Sequence, residues 1–152
     1  MTYEVYLQVD PEFQSAAGGV EAAAIAALQQ AKAASGALTV VLTDSGTLWA
    51  LNRRFAGVDA ATDVLAFANG SMDLESQLTY YGDVVISVPQ AQAQAAQAGH
   101  SLDDELVLLA VHGVLHLMGH DHSSQDERER MLSAQAAALK RLGRSIDFTE
   151  HQ

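Results

Sequence analysis

The stretch from Glu105 to Met118, ELVLLAVHGVLHLM, limits the fold more than any other part of the chain. Leu106, Val107, Leu109, Val111, Val114, Leu115 and Leu117 leave almost no polar face, so a helix here must be buried on most sides and stand at the centre of the molecule. Ser101 with Asp104 forms a capping-box pattern ahead of it, and Asp103, Asp104 and Glu105 suit the positive end of a helix. Gly119 is a natural left-handed stop. Two histidines, His112 and His116, interrupt the apolar run one turn apart.

Around this helix the chain reads as alternating short elements. YEVYLQV alternates and is β-rich, so it predicts a strand; GVEAAAIAALQQAKAAS has no breaker and predicts a helix ending near Gly36. ALTVVLT is a second strand. Asp44 or Ser45 can cap a short helix through TLWALNRRFAG that Gly57 ends, which puts Arg53 and Arg54 late on it. TDVLAF and GDVVISV are two further strands, with a polar loop or hairpin from Asn69 to Gly82 between them. Pro89 opens a polar helix, QAQAQAAQAG, and HDHSSQ leads into a last amphipathic helix from Ser124 to Leu142. Four strands and about five helices in 152 residues, with no repeat and no linker, predict one domain spanning residues 1–152.

No uninterrupted apolar run approaches the roughly 20 residues needed to cross a bilayer, so no membrane partner is expected. The amino terminus, MTYEVYLQVD, lacks the basic region and apolar core of a secretory signal, and there is no Cys for disulfides or thiolate metal ligands. A cytoplasmic location is expected. The formal net charge of −11 works against non-specific nucleic-acid binding, which needs clustered Lys and Arg to displace counterions. The basic residues are uneven, with Arg53 beside Arg54, and Arg128, Arg130, Lys140, Arg141 and Arg144 on the late segment. Acidic residues interleaved with the late group favour a solvated helix face over a local basic patch, the alternative its spacing leaves open.

His112, His116, His120 and His122 are four of the chain's six histidines. Two imidazoles four residues apart form a two-toothed clamp, and burying them without a partner would cost free energy that a bound cation offsets. A chain reversing at Gly119 can bring His122 over the open side, giving three nitrogen ligands, His112, His116 and His122, with a fourth position vacant for catalysis by a metal-bound water. One Zn²⁺ suits neutral imidazoles best, although Ni²⁺, Cu²⁺ and Fe²⁺ share the ligand type. His120 reads as a group supporting a metal ligand from behind, a substrate contact or a substitute ligand; Asp121 reads as an orienting carboxylate, a proton acceptor or a turn residue. The spacing is that of the long zinc-protease signature H-E-x-x-H-x-x-G-x-x-H, with Gly113 where the Glu general base would stand. That puts peptide or amide hydrolysis second to phosphodiester hydrolysis, which depends less on that base.

The segment HGVLHLMGHDH resembles the signature of the YbeY family of bacterial metal-dependent endoribonucleases. LNRRFAGVDAATDVLAF is similar to that family's L-N…T-D-V-L-S-F segment and YGDVVIS to its G-D-I-x-I-S strand, so the resemblance runs from Val40 to Met131. It implies an α+β fold with a small mixed sheet packed on helices, a zinc held by His112, His116 and His122, and hydrolysis of single-stranded RNA. The RNA implied is ribosomal, in maturation and quality control, with the small subunit or its proteins as partners. Three positions depart from the family: Ala56 follows Phe55 where an Arg is usual, His120 replaces a Tyr, and Ala66 replaces a Ser. The missing Arg leaves Arg53 or Arg54 as candidate substrate-binding cations, and it raises the alternative of a catalytically weak ribosome assembly factor.

Overall fold

The computed structural model describes residues 1–72, 78–120, 123–146 and 148. Among these residues four strands, β1 (Tyr3–Val9), β2 (Gly36–Thr43), β3 (Val64–Met72) and β4 (Thr79–Ser87), form one sheet in the order β1-β2-β4-β3. The first two pairings are parallel and β3 runs antiparallel to β4, so the sheet is mixed, as expected. Among the described residues five α-helices accompany it: α1 (Val20–Gln30), α2 (Ser45–Leu51), α3 (Val88–Ala98), α4 (Leu102–Leu117) and α5 (Gln125–Arg141). A 3-10 helix at Pro11–Ala16, unforeseen in the sequence, joins β1 to α1, and a π-helical turn at Asn52–Ala56 extends α2 until Gly57 ends it at φ 69°. Among the described residues no helix is long and apolar enough to cross a membrane.

One face of the sheet supplies half of the core. Val40 pairs with Val84 and Leu42 with Ile86, while Val64 and Ala66 on β3 stand opposite Ile86 and Val84, so these side chains share a face. Leu38, Val40, Leu42, Val84 and Ile86 have no exposed surface. α4 packs on β3 and β4 and against α1, with α5 behind α1 and α4. It is the buried central helix that its composition predicts: every residue from Glu105 to Val111 is buried. Full burial of Leu106, Leu115, Val111 and Val114 contributes about 1.5–3 kcal/mol each.

Both ends of α4 are closed as its flanking residues foretell. Ser101 Oγ accepts from the Asp104 N–H at 3.0 Å, while the Asp104 and Asp103 carboxylates are bonded by Arg144 at 2.6 and 2.8 Å. The buried Glu105 carboxylate meets His100 Nε2 at 2.5 Å. At the other end Gly119 adopts φ 96°, and the N–H groups of Gly119 and His120 donate to the carbonyls of His116 and Leu115, both at 3.0 Å. That Schellman arrangement satisfies carbonyls of the last turn and ends the helix.

Two boundaries differ from expectation. α1 stops at Gln30 instead of near Gly36, and Gly36 opens β2. A Cβ there would fall 2.4 Å from the Tyr81 ring and 2.7 Å from the Thr79 carbonyl, so only glycine fits this strand end. The strands reach further into the Asn69–Gly82 segment than expected, Asn69–Met72 lying in β3 and Thr79–Gly82 in β4, and the pairing of Met72 with Thr79 makes the two strands the hairpin that was one of the two expectations.

Candidate functional site

The cleft beside α4 has a volume of about 450 Å³. One wall is α4, through Leu108, Leu109, His112, Gly113 and His116; the other is Thr62 and Asp63 with the start of β3, Val64 to Ala66, and Arg128 of α5 also lines it. β3 is an edge strand of the sheet, and its first residues line the hollow. Helix and strand can approach this closely because position 113 has no side chain. A Cβ on Gly113 would lie 2.5 Å from Val84 Cγ1 and 3.4 Å from Val64 Cγ2. Packing therefore rules out the glutamate that the long zinc-protease signature places there.

His112 and His116 are half-buried on one face of α4, with ring centroids 5.0 Å apart and planes at 64°. His112 Nδ1 lies 2.6 Å from Oε1 of Gln135, a wholly buried residue of α5. An amide oxygen only accepts, so Nδ1 carries the proton and the lone pair resides on Nε2. Fixing a ligand's tautomer through its far nitrogen is the usual way a protein prepares an imidazole for a cation. Two imidazoles on a cleft wall, one so anchored, fit a borderline-soft divalent ion. His122 and Asp121 lie outside the described residues. His120 is half-buried, its N–H serves the end of α4, and its side chain is not among those lining the cleft.

Arg53 and Arg54 stand elsewhere. With Trp49 and Ala50 they line a separate shallow groove, where the Arg54 guanidinium sits 5.1 Å from the centroid of the Phe55 ring, itself edge-on to Phe67 at 5.6 Å. The structure thus does not bring them to the histidines. It brings Arg128 instead, which the interleaved charges of its helix had marked as surface. Gln135 was also unmarked, although its register with Met131, Ala134, Ala138 and Leu139, all buried, is a readable sign of a polar group turned inward.

Asp10, Glu12 and Asp44 form a further cluster, their carboxylates within 4.8 Å of one another. Asp10 accepts from the Thr43 hydroxyl at 2.7 Å. Asp44 caps α2 by accepting from the Thr47 N–H at 2.7 Å, and that bond holds its carboxyl below the usual 3.8. These roles account for Asp10 and Asp44 as structural groups.

The family model described as Endoribonuclease YbeY matches residues 7–143. The chain belongs to that family. The match is wider than the Val40–Met131 stretch on which the sequence resemblance rests. A YbeY endoribonuclease of Chloroflexus aurantiacus is 39% identical over 150 residues, covering 94% of this chain and 97% of its own. One from Gloeobacter violaceus is 44% identical over 115 residues, covering 73% of this chain but 59% of that relative. Among solved structures, a solution structure of a Thermotoga maritima protein matches with a TM-score of 0.58 over 91% of both chains at 19% identity, a likeness of fold alone. Both of these relatives are named as endoribonucleases.

Proposed function

We propose that this chain is a single-domain, zinc-dependent endoribonuclease that hydrolyses single-stranded RNA in the cytoplasm and takes part in maturation and quality control of ribosomal RNA on the small subunit. The observation that carries this reading is the clamp of His112 and His116 on the cleft wall, with His112 held in one tautomer by Gln135. His112, His116 and His122 would hold one ion, with Asp121 and His120 beside the third ligand. Zinc bound there supplies Lewis acidity toward water and toward a phosphoryl oxygen. The chain's own residues do the rest. Gln135 orients His112, Gly113 keeps the helix close to the strand, and the first residues of β3 wall the cleft in which a substrate would lie.

A sheet edge beside a histidine clamp could also seat an extended peptide, which favours amide hydrolysis as a second reading. Gly113 weighs against it, since no carboxylate fits there to act as general base. The test is cleavage of single-stranded and structured RNA, and of a peptide panel, by the zinc-loaded protein and by His112→Ala. RNA cleavage by the wild type that is lost in the variant supports the proposal. Equal cleavage by both points to a contaminating nuclease and overturns it.

A further inference from the structure

Among the described residues lining the histidine cleft, Arg128 is the only Lys or Arg. It also lines a neighbouring hollow with Ser123, Ser124, Gln125, Glu129 and Leu132, so its side chain stands where the two depressions meet. It is exposed, and among the described residues no ion pair engages it, whereas Arg144 is taken by Asp103 and Asp104. Its backbone lies in the first turn of α5. The Ser124 hydroxyl caps α5 by accepting from the Glu127 N–H at 3.1 Å, and Arg128 lies seven residues, two turns, before Gln135. The two therefore share the helix face that meets His112.

We infer that Arg128 binds a phosphate of the RNA next to the one cleaved and guides the strand from the cleft into the hollow at the start of α5. The inference rests on the endoribonuclease reading and adds a substrate-binding residue to it. A chain of net charge −11 repels a polyanion overall, so affinity must come from cations placed on the strand's path. A guanidinium at a junction of two hollows can hold a phosphate by two parallel bonds.

The experiment measures binding of the zinc-loaded protein to a nuclease-resistant 2′-O-methyl single-stranded RNA across a salt series, and KM for cleavable RNA. Arg128→Ala should raise both Kd and KM about tenfold, the loss of one charge-assisted contact. The slope of log K against log salt should flatten by about 0.7, one phosphate contact on a single strand. Arg128→Lys should restore most of that slope. Arg130→Ala, two residues along α5 and outside both hollows, should match the wild type. Wild-type affinity and slope in Arg128→Ala, or the same loss in Arg130→Ala, overturns the inference while RNA cleavage by the wild type leaves the functional reading standing. A wild type that neither binds nor cleaves RNA overturns both.

Discussion

His112 on α4 and Gln135 on α5 are joined through Nδ1 and Oε1 at 2.6 Å, a bond between two helices made by a polar residue with no exposed surface. It determines which nitrogen of His112 can face a cation. Replacing the acceptor by an apolar side chain of similar size leaves the ring free to turn or change tautomer. Gln135→Leu should weaken zinc binding by about 10- to 100-fold, read by competition with a chromogenic chelator. Gln135→Glu, which keeps an acceptor, should stay closer to the wild type. Undiminished affinity in Gln135→Leu would mean that the bond does not prepare the ligand.

Gly113 makes a prediction of opposite sign to the helix rule. At an open helical site Gly→Ala stabilises by roughly 0.5–1 kcal/mol. Here the added methyl meets Val84 at 2.5 Å, and overpacking of this kind costs about 1–3 kcal/mol. Gly113→Ala should therefore be less stable than the wild type in urea denaturation, and Val84→Ala in the same chain should recover part of the loss. A more stable Gly113→Ala would show that helix and sheet separate easily.

Asp44 links pH to stability. Its folded pKa lies below the unfolded value near 3.8, chiefly because the Thr47 N–H bonds the charged form. A carboxyl of this kind contributes stability above the unfolded pKa and loses it as pH falls through the folded one. Asp44→Ala should thus be less stable than the wild type at neutral pH, and the gap should narrow once the pH drops below about 4. A gap constant down to pH 2 in thermal melts would contradict the assignment.

The central helix was legible because its composition admits one environment and because Ser101 and Gly119 mark its ends by side-chain and backbone chemistry that act locally. The end of α1 was not, since the alanines after Gln30 favour helix by propensity while Lys32, at φ 55°, and the packing of Gly36 against Tyr81 end it through long-range contacts. The strands extend into the Asn69–Gly82 segment through pairing with each other, which a polar sequence does not advertise. In the site, the spacing of His112 and His116 was plain from helix periodicity. Gln135 and Arg128 sit on a helix whose polar residues look like a solvated face, and their roles depend on which turn meets α4. Arg53 and Arg54 show the converse, a conspicuous charged pair that the fold directs to another surface.

The most direct test of the account is the coordination of the bound ion, measured by X-ray absorption on the zinc-loaded protein and on His112→Ala and His116→Ala. The wild type should hold one zinc per chain with three imidazole nitrogens at about 2.0–2.1 Å and a fourth oxygen ligand, and both variants should lose most of it. A zinc surrounded by carboxylate oxygens, or retained at full occupancy in both variants, would contradict the histidine clamp.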